Sequence, residues 1–476
     1  MIPDADAQFE AFSAAFFSDL AGGATVADAL KTIPDALPCW KEVPLDQCVE
    51  DLRVSLAAVK LEGSGALEEV DVFVPLYRTM PLRLAVVFDA LAKCLSLPMV
   101  MLWDSFKVVL SSLLHKDVGV KWQQYSIRHR YWAVVTSDPG AGKSHALQFI
   151  MGCLLSAMED PSDAAHFPGC PEDNFHVVHD GTHAAFAARL NRTGGCALLA
   201  SPEGTAVLCP KFPGCGEFSK SSHIDLEKCL EAAGGGAIHW DTQESVLNKA
   251  KNARRTEQLQ DKGVDWEQTN FAFIFFQQVA MLQCWWAQAE AKWKKGLTNR
   301  FLFSTGRRPL ETPCPTGMVE TLRRYLVDIM KLVAQTLGQS RSQNFIWKPV
   351  PEVEKAFREV RASATELSQE AVYADGGSFH SMLEKTPYWL AHEALMNEVL
   401  TRASAIICCN ADIRTLQEAG QISSTNGKLS MHFIFLRLAR SSAQFLEVQH
   451  PVVAPEHKRT DSETVRDSTT WRSNVC

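Results

Sequence analysis

The chain has 476 residues, a formal net charge of −8 and 46% hydrophobic residues. This length predicts two or three domains, since a single hydrophobic core rarely serves more than about 300 residues. The composition excludes a largely disordered chain. The negative charge argues against a protein whose main task is to coat nucleic acid, although a local basic groove would be enough to bind it.

The cysteines and the hydropathy of the chain indicate where in the cell the protein is located. The 14 cysteines are scattered, and their placement in apolar runs is typical of reduced, buried thiols. The cysteines that follow this pattern are Cys94, Cys153, Cys196, Cys284, Cys408 and Cys409. The N-terminus is acidic, unlike a signal peptide, and the apolar stretches 81–103 and 271–286 contain charged or amide side chains. We expect a soluble protein of the cytoplasm or nucleus that does not enter a membrane.

The first 115 residues predict a helical N-terminal region. Apolar side chains recur at helical spacing from Phe9 to Leu20 and again across 81–114. Glycine- and proline-containing breaks separate these stretches.

Residues 116–310 have a different hydrophobic pattern, in which short apolar runs alternate with helical stretches. Strands that alternate with helices predict an α/β fold with a mainly parallel sheet covered on both faces. The predicted strands are 131–136, 175–178, 196–200, 271–277 and 301–304, and the predicted helices are 143–158, 183–191 and 224–233.

Residues 311–450 again follow a helical period and predict a helical C-terminal domain without strands. Its predicted helices are 318–337, 353–374, 380–404 and 431–445. The tail 451–476 is polar and of mixed charge, which predicts disorder.

A glycine-rich segment between the first predicted strand and its helix carries the main functional signal. Glycines allow successive backbone N–H groups to curl around an anion, and the new helix directs its positive end at that anion. Lys143 would contact the β- and γ-phosphates of a nucleotide, and the Ser144 hydroxyl would bind Mg²⁺. The predicted phosphate-binding residues are Ser137, Asp138, Pro139, Gly140, Ala141, Gly142, Lys143 and Ser144.

Two features limit this prediction. The motif G-x-x-x-x-G-K-[ST] has glycine where this chain has Ser137. A Gly-Lys-Ser triplet also occurs by chance in many chains of this length, so a surface turn is the alternative. The preceding strand, the following helix and the glycines Gly140 and Gly142 favour the phosphate site.

Three further positions could complete a catalytic centre. Glu203 follows an apolar strand that we expect next to the phosphate strand, because an ATPase of this type holds a metal-organising acid on a neighbouring strand. It could polarise an attacking water, or could instead cap a helix. Gln277 ends another strand and could orient that water, or could be only a polar strand end. Arg300 could stabilise transition-state charge, in its own subunit or in a neighbouring one, or could form a solvated basic edge with Arg307.

Other patterns are weaker. The lysines of KWKK, residues 292–295, could face nucleic acid, although a charge run is more often a solvated face. Cys209, Cys215 and His223 could hold zinc together with Cys170, but their spacing departs from that of paired zinc ligands.

Four segments together resemble a known family. They are SDPGAGKSHAL, FHVVHDGTHAAFAARL, GGCALLASPEG and GLTNRFLFSTGRRP, in that order along the chain. This pattern is similar to the P-loop family catalogued as domain of unknown function 3987, which is associated with primases and helicases of mobile elements. The resemblance implies that Glu203 is the acidic-strand glutamate and Arg300 the finger-like arginine. Pro202 stands where that family tends to have aspartate, which puts nucleotide hydrolysis in question.

These observations predict a RecA-like P-loop NTPase core flanked by helical N- and C-terminal regions. The expected ligands are ATP and Mg²⁺, and the expected function is that of a helicase-like ATPase in replication or mobile-element maintenance. We expect a homo-oligomer that acts on nucleic acid. A nucleotide-binding switch with little hydrolysis and a P-loop kinase remain as alternatives.

Overall fold

The computed structural model describes most of the predicted segments. The described residues are 5–51, 75–115, 117–123, 125–167, 176–178, 190, 193, 196–202, 204, 270–278, 300–306, 313–338, 345–369, 383–417 and 420–449. The predicted helix 224–233 and the predicted disordered tail lie outside these residues, as does nearly all of the predicted helix 183–191.

Helices dominate the described chain, as the periodicity predicts for both terminal regions. In chain order they are α1 (Ala5–Ala21), α2 (Val26–Lys31), α3 (Pro38–Lys41), a 3₁₀ turn (Leu76–Thr79), α4 (Leu82–Leu95), α5 (Met99–Leu113), α6 (Lys143–Ala157), α7 (Pro161–Ala164), α8 (Met318–Leu337), α9 (Pro351–Gln369), α10 (Thr386–Cys409), α11 (Arg414–Gln417) and α12 (Ser424–Gln449). The predicted run 81–114 is divided because Ser96 adopts a left-handed conformation with φ of 52° and Pro98 starts the next helix.

The strands form two sheets. In chain order they are β1 (Gly119–Trp122), β2 (Tyr125–Arg128), β3 (Trp132–Ser137), β4 (Val177–Val178), β5 (Cys196–Ser201), β6 (Asn270–Gln278), β7 (Leu302–Thr305), β8 (Ile346–Pro349) and β9 (Gln421–Ile422). The larger sheet has the order β4-β5-β6-β3-β7, and all four of its pairings are parallel. The predicted mixed α/β fold with a parallel sheet is confirmed.

The parallel sheet is buried on both faces, which explains its nearly continuous apolar strands. On one face of β6, Ala272, Ile274 and Phe276 join the main hydrophobic core, which also includes most apolar residues of α5. On the other face the aromatic rings form a separate layer, with the ring centroids of Trp132 and Phe273 4.7 Å apart. That layer consists of Trp132, Phe271, Phe273, Phe275, Phe301 and Phe303.

The smaller sheet corrects the prediction that the C-terminal region lacks strands. Its order is β2-β1-β8-β9, so β8 and β9 join a hairpin from the other side of residue 310. Neither strand of that hairpin was predicted. Because β8 has four residues and β9 has two, they show little alternation in the sequence. β8 also pairs with β1 across more than 200 residues of the chain.

One connected hydrophobic core extends from Ala5 to Ile434 and includes the terminal helices and the parallel sheet. The division at residues 115, 310 and 450 therefore stays a prediction. Among the described residues, we find no helix with the length and hydropathy needed to cross a membrane.

A charged cluster lies inside this core. Lys107 Nζ donates hydrogen bonds to Tyr131 Oη at 2.7 Å and to Glu393 Oε1 at 3.0 Å, and it lies 3.7 Å from Asp104 Oδ1. Burial raises the pKa of Glu393 to about 7, and the nearby Lys107 opposes that rise. Buried charges are tolerated only with such partners, so the cluster ties α5 to α10 and to the residue that precedes β3.

Two cysteines also differ from the prediction of buried, reduced thiols. Cys94 is half-buried and forms a disulfide with Cys314, and Cys409 is exposed. The sequence separation of the disulfide is 220 residues, so local spacing could not indicate the pair. Cys153, Cys196 and Cys408 are buried free thiols as predicted, and Cys284 lies outside the described residues.

Candidate phosphate-binding site

The glycine-rich segment forms a loop between a buried strand and a helix. β3 ends at Ser137 and α6 begins at Lys143, with Asp138 and Pro139 exposed between them. Gly140 and Gly142 have φ angles of 84° and 87°, in the left-handed region that favours glycine. The loop thus turns at both glycines and does not continue as an extended strand.

The dihedral angle favours glycine at position 142, and a side chain there would also displace Leu97. A Cβ added to Gly142 would lie 2.3 Å from Leu97 Cδ2, and Leu97 itself is buried. The same α4–α5 connection supports the end of β7, because a Cβ on Gly306 would lie 2.8 Å from Pro98 Cβ. The α4–α5 connection therefore packs against both the glycine-rich loop and the residue that follows β7.

Lys143 directs its ammonium group onto the loop. Its Nζ donates to the backbone carbonyl oxygens of Ser137 at 3.1 Å and Asp138 at 2.8 Å. The Ala146 N–H donates to the Gly142 carbonyl oxygen at 2.9 Å. The amides of Lys143 and Ser144 precede this bond and point out of the end of α6. A cationic side chain and a helix N-terminus thus converge on one loop, an arrangement suited to a polyphosphate.

The departure at Ser137 has a structural explanation. Ser137 is the last residue of β3 and pairs with Gln278 in parallel register, and it is not among the residues with positive φ. A side chain is compatible with that position, so the serine does not distort the loop.

Other strand ends lie beside the loop. In the register of the sheet, Gln277 is level with Thr136 and Gln278 with Ser137. Gln277 is buried, whereas Gln278 is exposed. On the opposite side of β3, the Thr136 and Thr305 hydroxyl groups lie 2.9 Å apart, which fixes β7 at the base of the loop. The structure thus places Gln277 at the carboxyl end of the parallel sheet, where the phosphate loop also lies.

Glu203 lies outside the described residues, but both of its neighbours are described. The Gly204 N–H donates to the Phe276 carbonyl oxygen at 2.7 Å, so the chain after β5 runs along the carboxyl end of β6. The expectation that this acidic strand is adjacent to the phosphate strand is wrong, because β6 lies between them. The β5 and β3 axes are therefore about 10 Å apart at the carboxyl end of the sheet.

The structure does not bring Arg300 to the loop of its own subunit. Leu302 pairs with Ala133, so Arg300 lies at the amino end of β7, about 20 Å along the strands from the loop. It is half-buried, and burial lowers its pKa against an opposing effect of Tyr388. Strand polarity explains this placement, since a residue that precedes a parallel strand lies opposite one that follows it. The interpretation as a finger within one subunit is wrong.

Sequence reasoning did not identify the side chains that brace the loop from behind. The Ser304 hydroxyl donates to the Asp104 carboxylate, and the Ser304 carbonyl oxygen accepts from the Thr136 hydroxyl at 3.0 Å. Asp104 lies one helical turn before Lys107 on α5. The only signal available was a pair of charged residues within the apolar helix 99–113.

The remaining predicted sites lie outside the described residues. They are Arg307, Arg308, the basic run 292–295 and the possible zinc ligands Cys170, Cys209, Cys215 and His223. Within the described part of the chain, no group of three or more His, Cys, Asp or Glu side chains is arranged to hold a metal ion.

Comparison with known proteins gives no assignment: no family model matches the chain, and neither curated proteins nor solved structures match it significantly. The likeness to the P-loop family named above therefore stays a prediction from the four sequence segments.

Proposed function

We propose that the chain binds a nucleoside triphosphate with Mg²⁺ at the loop 137–144 and acts as a helicase-like ATPase on nucleic acid. The observation that carries the nucleotide-binding proposal is the position of Lys143, whose Nζ lies over the Ser137 and Asp138 carbonyls at the N-terminus of α6. In this proposal the ammonium group exchanges those carbonyls for the β- and γ-phosphates.

The magnesium site in this proposal uses Ser144. Its side chain is exposed in the first turn of α6, directly after Lys143. A hydroxyl there suits Mg²⁺, which takes oxygen ligands and retains several waters beside the phosphates. When bound, Mg²⁺ would neutralise charge on the β- and γ-phosphates.

The sheet order leaves room for a hydrolytic water. β6 separates the phosphate strand from the strand that precedes Glu203. The separation of about 10 Å leaves room for a water between the γ-phosphate and a carboxylate at position 203. Glu203 would accept a proton from that water, and Gln277 at the adjacent strand end would help to orient it.

Pro202 favours a second candidate function. An aspartate at this position would add a carboxylate to the magnesium shell, and proline cannot. A nucleotide-dependent switch that binds ATP and hydrolyses it slowly is therefore the alternative.

The primary experiment measures binding of a fluorescent ATP analogue with Mg²⁺, and ATP hydrolysis with and without single-stranded DNA. We expect Lys143→Ala to weaken binding at least tenfold, because it removes a charge-assisted contact to phosphate. Lys121→Ala is the matched control, since Lys121 is an exposed lysine on β1. Hydrolysis stimulated by DNA supports the ATPase, and binding without turnover supports the switch. Equal affinity in the wild type and Lys143→Ala would contradict both.

A further inference from the structure

The disulfide Cys94–Cys314 joins two segments that are far apart in sequence. Cys94 lies in the last turn of α4, and Cys314 lies four residues before α8. Their Cα atoms are 4.9 Å apart, within the range that a disulfide requires. Both side chains are half-buried, so a small thiol reagent can reach them.

The α4 end of this link leads directly to the phosphate loop. Leu97, three residues after Cys94, occupies the space that a Cβ on Gly142 would need. Pro98 and Met101 fill the corresponding space at Gly306. Any displacement of the α4–α5 connection therefore changes the packing under the loop glycine.

The α8 end of the link holds the loop helix. Arg323 Nη2 donates to the Gly152 carbonyl oxygen at 3.1 Å and to Ser156 Oγ at 2.7 Å, and both acceptors lie on α6. The disulfide thus connects the element under the loop to the element that holds the helix after it.

Two other described thiols, Cys48 and Cys153, are buried rather than half-buried. Burial raises the pKa of Cys48 to about 11 and that of Cys153 to about 12. A raised pKa suppresses the thiolate that disulfide exchange requires. Cys409 is exposed but is not disulfide-bonded in the structure.

We propose that Cys94 and Cys314 are a reversible oxidation site that controls nucleotide affinity at the phosphate loop. The oxidant is a low-molecular-weight disulfide. One cysteine thiolate attacks it, forming a mixed disulfide and releasing one small thiolate. The second cysteine thiolate then attacks the protein sulfur of the mixed disulfide and releases the other. Two electrons pass from the protein to the reagent, and the two cysteine protons end on the released thiols.

The direction of control follows from the geometry of the oxidised state. With the disulfide formed, Gly140 and Gly142 hold the left-handed conformation that the proposed phosphate site needs. Reduction removes the covalent link between α4 and the segment before α8. In this proposal the loop then samples other conformations, which lowers affinity through lost preorganisation. This inference rests on the proposed nucleotide site, and we expect about fivefold weaker binding in the reduced protein.

The test uses the full chain, equilibrated with oxidised or reduced glutathione and then titrated with the fluorescent ATP analogue and Mg²⁺. Peptide mapping without reduction identifies the disulfide. We expect oxidised wild-type protein to bind more tightly than reduced protein, and Cys94→Ser and Cys314→Ser to bind equally in both buffers. Cys409→Ser is the matched control and should keep the wild-type difference.

Thermodynamic linkage gives a second, independent measurement. If the disulfide strengthens nucleotide binding fivefold, saturating nucleotide must shift the equilibrium between protein disulfide and glutathione by the same factor. Equal affinities in the two redox states, or a mapped disulfide elsewhere, would overturn the inference while leaving the nucleotide site intact. Absence of binding in both states would overturn the inference and the nucleotide site together.

Discussion

Leu97 packs against Gly142 so closely that a Cβ at position 142 would lie 2.3 Å from Leu97 Cδ2, and the leucine side chain would have to move to admit it. Gly142 also has a φ of 87°, so alanine there would be strained by its backbone as well. We expect Gly142→Ala to weaken binding of the ATP analogue at least about fivefold, because about 1–3 kcal/mol of strain is relieved only by rearrangement of the loop.

Two further variants separate the loss of affinity caused by the backbone conformation from the loss caused by the contact with Leu97. A Cβ on Gly140 would meet nothing within 4 Å, so Gly140→Ala carries only the dihedral cost of about 1–2 kcal/mol. Adding Leu97→Ala to Gly142→Ala should restore part of the lost affinity. A double variant no better than Gly142→Ala alone would show that the contact with Leu97 is unimportant.

Glu203 distinguishes an ATPase from a switch. If its carboxylate accepts a proton from the attacking water, Glu203→Gln should lower the hydrolysis rate about 100-fold or more. Nucleotide affinity should change less than about threefold, since the loop contacts remain. The measurement is single-turnover hydrolysis beside equilibrium binding. Unchanged turnover in Glu203→Gln would remove the glutamate from the proposed mechanism.

The contrast between Lys143 and Leu97 explains how much of the site was predictable. Lys143 lies in a motif whose glycines, strand and helix are contiguous, so local sequence indicated the loop. Local sequence also indicated all five strands of the parallel sheet. Leu97 acts through a contact between distant segments, and a leucine in an apolar run has no distinguishing mark. The same limitation hid the pairing of β1 with β8, in which Val120 lies opposite Trp347.

Strand polarity was the other source of error. The sequence placed Arg300 beside a strand, but only the sheet shows that its end of β7 is opposite the loop. The order of β5 and β6 was likewise invisible, because connections between parallel strands can place a later strand between two earlier ones. Chain order alone therefore could not determine which polar strand ends meet.

The remaining prediction for Arg300 is a role in nucleotide hydrolysis in a neighbouring subunit. It precedes β7, which lies at one edge of the parallel sheet in the described part of the chain. If it acts in trans, Arg300→Ala and Lys143→Ala should each be inactive alone, and a mixture should recover hydrolysis, because mixed oligomers contain intact composite sites. The measurement is turnover across mixing ratios. A mixture with no activity above the separate variants would exclude the role in trans.

The buried histidine pair predicts how stability depends on pH. His129 Nδ1 and His392 Nδ1 lie 3.0 Å apart, and both side chains are almost fully buried. Burial, aided by the charge of Lys107, lowers the pKa of His129 to about 3. Burial, together with His129 and Arg130, also lowers that of His392.

Because these native pKa values lie below the unfolded value of about 6.5, the unfolded chain binds more protons whenever the pH is below that value. Their stabilisation is thus complete above pH 6.5, and the contribution of His129 falls by about 1 kcal/mol for each pH unit toward pH 3. The contribution of His392 falls in the same direction. Urea unfolding at pH 7.5 and 5.5 measures this loss, and His129→Asn should reduce it by about 1 kcal/mol relative to wild type. An exposed-site variant, His145→Asn, should leave the pH dependence unchanged. If His129→Asn also left it unchanged, the pair would not be neutral in the folded protein.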